Sequence, residues 1–441
     1  MKTNRCIAGL LFVLTVAARG TPPLALVGGT VIDVSAFGSS SHDIPDAVVV
    51  VRGDRIEVAG RRAATRIPAD ATVIDVRGSY LIPGLIDGFA ALDNQAYANA
   101  YLYMGVTSII GAHGGRRHAL YERASPAPRI YRLEPVADAE DAPVSMPALL
   151  AQINSLAQTD TRVLLLMYRL TPPELEAAVA RARQRGLATL GELGHSSYSQ
   201  ALDCGVDAFV HSSRYSMDMA PTSLRQAVAD DPFGQAAREY SQWLASLAPE
   251  SGMVARHART LGDRGAVLMP TLALYSLDLP GASNPWKETA AAILDPRDVH
   301  DPVDPASGRR EVDAAQGDLR RQLALNVLEL ERRYRRAGAR YLAGSGTDVY
   351  GTLPGISLHH ELELLVRIGL TPREALASAT ANFSEALRWR DMGGIRPGSL
   401  ADILVLEGNP ALDIRNVRKI RYLVFRGDVL DRSNLLAHPF R

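Results

Sequence analysis

Hydrophobic positions along this 441-residue chain follow one spacing at both ends and another in the middle. From Leu24 to Tyr80, short apolar runs alternate with turns, and Arg52-Gly53-Asp54 between two such runs is a hairpin signal. The same alternation of short apolar runs and turns occurs from Gly398 onward, where Arg426-Gly427-Asp428 again separates two apolar runs. This pattern predicts that the two ends are β-rich and meet in one small sheet domain.

The middle of the chain alternates strand-length apolar runs with helical patterns. Arg162 to Tyr168 is almost wholly apolar, which is typical of a strand buried in a parallel sheet. Thr171-Pro172-Pro173-Glu174 then predicts a helix start, and Gly186 its end. Such alternation favours a closed (β/α)₈ barrel. Further strands are predicted at Leu81–Asp87, Val106–Gly111, Leu187–Leu190, Ala208–Val210, Val267–Thr271 and Arg340–Ala343.

Two stretches interrupt the alternation. Residues 217–251 form a polar, helix-prone insertion, and residues 279–308 are rich in Pro, Asp and Gly, which predicts a long loop. Loops that follow barrel strands shape the substrate pocket. We therefore place the second, residues 279–308, on the active-site face.

Charge and length narrow the classes of partner. Lys plus Arg and Asp plus Glu both number 48, so no strong field points to nucleic acid or to an anionic membrane. The length allows one large α/β domain and a smaller one. Small molecules or other protein surfaces are the expected partners, and the oligomeric state stays open.

The first 20 residues have the pattern of a secretory signal peptide. A basic start, Met1–Arg5, precedes an apolar run, Ile7–Ala18, which is shorter than the roughly 20 residues of a spanning helix. A buried N-terminal helix is the alternative. We expect secretion across the inner membrane to the periplasm, with no transmembrane segment in the mature chain. Cys6 would leave with the signal, and Cys204 is then an inert packed thiol rather than a nucleophile.

The run Leu81–Ala91 resembles the entry to the first barrel strand of the metal-dependent amidohydrolase superfamily, especially its imidazolonepropionase- and prolidase-like members. The resemblance implies a (β/α)₈ barrel over residues 81–392 and a β-sandwich built from residues 24–80 and 393–435. Further matching runs are Gly205–His211, Leu342–Asp348, Leu358–Leu365, Gly369–Leu376, Ala379–Asn382 and Gly398–Asp402.

The resemblance also implies six metal-ligand positions, and this chain keeps two of them, His211 and Asp348. The first-strand histidines of the family are replaced by Phe89 and Ala91, which have no metal donor. The position of the bridging lysine aligns with Leu166, and that of a further histidine with Glu192. A bridged two-metal centre is therefore not expected.

A smaller set of metal ligands is still available in this sequence. Glu192, His211 and Asp348, with His113 or His195 as further candidates, could hold one zinc ion, and Asp348 would serve as the catalytic base. The plainer alternative is that His113, Glu192 and His195 are exposed loop residues. His359 and His360 are predicted to lie at a helix start and not to bind metal.

Three hypotheses remain open. The first is a mononuclear hydrolase of amide or cyclic amide C–N bonds. The second is a catalytically inactive relative that binds a small ligand or a protein partner in the cell envelope without metal. The third is a metal-free hydrolase in which Glu192 and Asp348 act as acid and base.

Overall fold

The structure is a computed structural model that describes residues 22–112, 121–138, 145–281, 283–304, 310–347, 349 and 351–437. The predicted signal segment lies outside these ranges and stays a prediction. The strands of the described residues are β1 (Leu24–Val31), β2 (Ile44–Arg52), β3 (Arg55–Arg61), β4 (Thr72–Asp75), β5 (Tyr80–Pro83), β6 (Leu85–Ala90), β7 (Val106–Ala112), β8 (Arg129–Val136), β9 (Thr161–Leu166), β10 (Ala188–Gly191), β11 (Ala208–Val210), β12 (Val267–Met269), β13 (Arg340–Tyr341), β14 (Ile403–Leu406), β15 (Ile420–Phe425) and β16 (Asp428–Leu430).

Helices alternate with the middle strands. Their bounds are α1 (Gln95–Tyr103), α2 (Met146–Leu156), α3 (Pro172–Gln184), α4 (Tyr198–Cys204), α5 (Ser212–Tyr215), α6 (Thr222–Asp230), α7 (Gln235–Ser246), α8 (Gly252–Asp263), α9 (Ala314–Arg336), α10 (Ile356–Arg367), α11 (Pro372–Ser378) and α12 (Ala381–Ala386). The predicted start of α3 is confirmed, because the Thr171 N–H donates to the Glu174 carboxylate at 2.9 Å in a capping box. Within the described residues, no helix is long and apolar enough to cross a bilayer.

Both chain ends contribute to one sheet, as the apolar pattern predicted. Its strand order is β16-β15-β14-β5-β1-β2-β3, with β4 beside β1. Strand β5 leads into the barrel and joins the two halves: it pairs with β1 in parallel and with β14 antiparallel, Ile82 lying opposite Leu404. The sheet therefore anchors the start of the barrel to the end of the chain.

Strands β6 to β13 form the second sheet in consecutive, parallel order, which confirms the (β/α)₈ fold class. The ring is closed by backbone hydrogen bonds from Gly88 N–H to Ala343 O at 2.9 Å and from Gly346 N–H to Phe89 O at 3.0 Å. Alternate strand residues face opposite sides. Leu190 and Val210 belong to the cluster inside the barrel, whereas Leu166 packs on the helix side with residues of α3.

Closure of the barrel needs a residue without a side chain at Gly88. A Cβ there would lie 2.5 Å from Met269 Cε, 2.7 Å from Phe383 Cζ and 2.8 Å from Ala343 O. We expect Gly88→Ala to lower the free energy of unfolding by about 1–3 kcal/mol in chemical denaturation, the range for overpacked cores. Gly394→Ala is the matched control, because its Cβ would meet only the Arg396 side chain, at 3.4 Å or beyond. Equal stabilities for the two variants would contradict the prediction.

One barrel strand was not predicted. Strand β8 carries Arg129, Arg132 and Glu134, so its sequence does not have the apolar run of a buried parallel strand. The charges are balanced by residues from other elements: Arg129 Nε lies 2.7 Å from Asp402 and Arg132 Nε 2.9 Å from Asp160. The last predicted strand was also too long, since β13 covers only Arg340–Tyr341.

The two insertions follow strands β11 and β12, so they rise from the C-terminal face of the barrel. The first contains a 3₁₀ turn at Ser216–Met219 followed by α6 and α7, as its helix-prone pattern predicted. In its described part the second has short 3₁₀ turns, such as Pro285–Lys287 and Thr289–Ile293. Cys204, at the end of α4, is partly buried, and burial raises the pKa of its thiol.

Candidate functional site

The ends of three neighbouring strands, β10, β11 and β12, bring the candidate residues together. His211 follows β11 directly and is anchored by its backbone N–H, which donates to Met269 O at 2.9 Å. Its imidazole Nδ1 lies 2.8 Å from Thr271 Oγ1, just beyond β12. Functional side chains of (β/α)₈ enzymes stand at this C-terminal edge.

His211 and Thr271 share an unusual backbone conformation. His211 has φ of 63° and Thr271 has φ of 51°, both in the left-handed region that a β-branched residue such as threonine rarely adopts. Each such residue costs on the order of 1–3 kcal/mol, and such strain clusters at functional sites. In this backbone conformation the two side chains contact each other across the ends of adjacent strands.

The hydrogen bonds around Thr271 determine the tautomer of His211. The Thr271 hydroxyl donates its single proton to Pro270 O at 2.7 Å, so its oxygen can only accept from the imidazole. Nδ1 therefore carries the hydrogen, and Nε2 of the neutral ring keeps its lone pair. This nitrogen is the one that could bind a metal or take a proton.

Burial keeps His211 neutral. Loss of hydration lowers the pKa of the imidazole; the nearby carboxylate of Glu192 raises it and the guanidinium of Arg214 lowers it further, with a net decrease. The ring of Phe89 packs edge-on against the imidazole, with 4.9 Å between centroids. An aromatic ring thus lies beside His211 at one of the positions where the resemblance implies a metal-binding histidine.

Glu192 is held by an ion pair inside the mouth of the barrel. It is 6% exposed, and its Oε1 accepts a hydrogen bond from the Tyr168 hydroxyl and lies 3.2 Å from Arg214 Nε. Its backbone N–H donates to Leu166 O at 2.8 Å, which fixes the turn after β10. The expectation of an exposed loop glutamate does not match this buried position.

Arg214 brings a permanent positive charge to this buried region. Its guanidinium carbon lies 5.1 Å from the centroid of the Tyr168 ring, and Nη2 donates to Pro232 O at 3.4 Å. Burial by itself would lower the pKa of Arg214, but Tyr168 and Glu192 more than offset that, so the pKa is raised. The pair is a buried salt bridge with an additional aromatic contact.

The other predicted site residues do not join this group. His195 turns toward the first insertion, where its Nε2 lies 2.9 Å from Asp230 Oδ1. Ala91 is buried and Leu166 faces the helices, so neither position supplies a donor. His113 and Asp348 lie outside the described residues, so their roles stay predictions.

We tested whether the side chains at the mouth fit the metal centre that the resemblance implies. His211 Nε2 is a suitable donor, but Glu192 already neutralises Arg214, and a guanidinium beside a carboxylate opposes a divalent ion there. Among the residues that the structure describes, no three His, Cys, Asp or Glu side chains are grouped to hold a metal ion. The described residues therefore do not fit the two-metal centre.

Sequence reasoning missed Tyr168, Arg214 and Thr271. One signal was available for Arg214, because it lies three residues after His211 in the short helix α5 that begins at the end of β11. A small cavity of about 10 Å³ lies at the junction with the other sheet, where Thr107 and Asp402 are among its lining residues. Its lining includes none of the residues at the barrel mouth, so it is separate from this chemistry.

Comparison with known proteins agrees with the fold. The sequence model of the Amidohydrolase family matches residues 226–430. An imidazolonepropionase of Deinococcus radiodurans is 27% identical over 83% of this chain and 87% of its own length. An adenine deaminase of Rubrobacter xylanophilus is 31% identical, but over only 26% of this chain and 21% of that protein.

Solved structures show the same architecture over nearly the whole chain. A bottromycin amidohydrolase superposes with a TM-score of 0.67 and 19% identity, covering 94% of this chain and 88% of its own. A putative prolidase from Bifidobacterium longum gives a TM-score of 0.60 and 21% identity over 94% of this chain and 98% of its own. The matched segment and the full-length relative are thus similar to amidohydrolases, and the solved structures share the barrel-plus-sheet fold of this chain.

Proposed function

We propose that this protein is a hydrolase that cleaves a carbon–nitrogen bond in a small substrate, with His211 as the group that moves the proton. The observation that carries the proposal is the neutral imidazole at the barrel mouth, whose Nε2 lone pair is set by the hydrogen bond to Thr271. The imidazolonepropionase relative and the amidohydrolase structures support the bond type.

The described residues suggest how such a reaction would proceed. His211 Nε2 would take a proton from a water molecule as the water oxygen bonds to the substrate carbonyl carbon, and the C=O electron pair would move to oxygen. The guanidinium of Arg214, whose Nε lies 3.2 Å from Glu192, would donate a further N–H to the resulting oxyanion. Collapse of this tetrahedral intermediate would break the C–N bond, and the His211 imidazolium would return the proton to the leaving nitrogen. No step is assigned to a metal, because the described residues do not fit the two-metal centre.

A second candidate function is ligand binding without turnover, in the cell envelope if the predicted signal peptide acts. It is favoured by the packing of Phe89 against His211 and by the pairing of Glu192 with Arg214, which together occupy positions of the family's metal ligands. In that case the mouth of the barrel would hold a small polar molecule or a partner segment, and the proton-transfer geometry of His211 would be a remnant.

The test is hydrolysis of a panel of linear and cyclic amides by the mature chain, with release of the amine or acid as the readout. We expect His211→Ala to lower kcat/KM by about 10²–10⁴-fold, the usual contribution of a general base. Thr271→Val removes the acceptor that holds Nδ1–H, so we expect it to lower kcat and leave KM nearly unchanged.

The control for this test is His42→Ala, because the His42 side chain is 95% exposed on the other sheet domain. Full activity of His211→Ala would remove His211 from the mechanism. No turnover of any amide by the wild-type chain, together with saturable binding of one of them, would favour the ligand-binding function.

A further inference from the structure

We propose that the guanidinium of Arg214 has taken the electrostatic place of the metal ion in this barrel. The guanidinium would stabilise the side chains at the barrel mouth and exclude a divalent metal ion from them. This role of Arg214 holds whether the protein hydrolyses a substrate or only binds one, so its failure and that of the proposed function are distinguishable.

The first observation is the partner of Glu192. The resemblance implies a neutral, metal-binding histidine at this position, where a divalent cation would balance the site. This chain has a carboxylate there, and Arg214 Nε lies 3.2 Å from it. A negative ligand and a fixed positive side chain therefore replace a neutral ligand and a mobile cation, and the charge is balanced within the chain.

The second observation is how firmly Arg214 is held. It lies in α5, which starts at the residue after His211, so its position is tied to the end of β11. Its side chain is 14% exposed, with the Tyr168 ring on one face and Pro232 O as a second acceptor. Arginine stays charged at every accessible pH. The cation is therefore permanent and cannot be removed by a chelator.

The third observation is the position of this charge relative to His211. Arg214 lies three residues after His211 in α5, so a cation that bound the imidazole would lie near the guanidinium. A divalent ion would also have to compete with Arg214 for the Glu192 carboxylate, and Phe89 lies against the ring in place of another donor. Both effects disfavour metal binding at His211.

The experiment measures zinc binding to the full mature chain after treatment with EDTA, by competition with a chromophoric chelator, together with the thermal midpoint. We expect no stoichiometric zinc in the wild-type chain and no change of the midpoint with EDTA or zinc. About one zinc per chain, lost in His211→Ala, would overturn the inference.

Two variants test the role of the guanidinium itself. Arg214→Gln keeps Glu192 and His211 but removes the charge, so we expect zinc affinity to rise by at least roughly tenfold. Glu192→His/Arg214→Gln has no buried charge left unpaired, restores the family's ligand and should gain zinc-dependent thermal stability. If neither variant binds zinc more tightly than the wild-type chain, Arg214 is not what keeps the ion out, and the inference fails.

Discussion

Replacing Arg214 by methionine is expected to lower the free energy of unfolding by about 3–5 kcal/mol, the usual cost of removing one partner of a buried ion pair. Glu192 would be left 6% exposed, with the Tyr168 hydroxyl as its remaining side-chain partner among the described residues. The methionine retains most of the apolar stem, so lost packing contributes little. Chemical denaturation, followed by circular dichroism, measures the change.

Two comparisons separate the buried charge from other effects. Glu192→Leu/Arg214→Met removes both charges, and we expect it to recover most of the loss, because apolar residues often replace a buried pair at little cost. Arg52→Met breaks an exposed pair, Arg52 Nε to Glu57 at 2.9 Å, and should cost at most about 1 kcal/mol. A double variant as unstable as Arg214→Met would show that the ion pair is not the source of the stability.

The second large effect is expected from Asp87→Asn and depends on pH. Asp87 is fully buried in β6; its Oδ1 accepts the Ser345 N–H at 2.8 Å, whereas its Oδ2 has no hydrogen-bond partner among the described residues. Burial raises the pKa of this carboxyl from 3.8 to about 6. The folded state therefore binds the proton more tightly than the unfolded state does.

This difference in proton affinity determines how the stability changes with pH. The contribution of Asp87 to wild-type stability is greatest while the carboxyl is protonated, falls as the pH rises from about 4 to about 6, and is lower by about 3 kcal/mol above that range. The asparagine is neutral throughout. We expect the stability of Asp87→Asn relative to wild type to increase by about 2–3 kcal/mol between pH 4 and pH 8 in urea titrations.

Glu331 provides the comparison for Asp87. It accepts hydrogen bonds from Ser212, Tyr215 and Tyr341, and burial raises its pKa to about 7. The relative stability of Glu331→Gln should therefore continue to change up to about pH 7, whereas that of Asp87→Asn should level off near pH 6. Relative stabilities that do not change with pH would rule out both raised pKa values.

Local patterns in the sequence were sufficient to predict most of the fold. The apolar run Arg162–Tyr168 contains most of strand β9, the Thr171–Glu174 capping box starts α3, and the β-rich ends pair through β5 and β14. These features depend on the polarity and caps of neighbouring residues, which a sequence displays directly. Strand β8 was missed because Arg129 is balanced by Asp402, 273 residues away.

For the candidate site too, some features could be predicted from the sequence and others depend on the tertiary structure. Phe89 and Ala91 stand where the resemblance implies the first pair of metal-binding histidines, and no fold can supply a donor atom that these side chains lack. Tertiary structure decided that Glu192 meets Arg214 and Tyr168, and that His211 meets Thr271 from the next strand end. Those contacts join residues 22 to 60 positions apart, and only the closed barrel brings them within hydrogen-bonding distance.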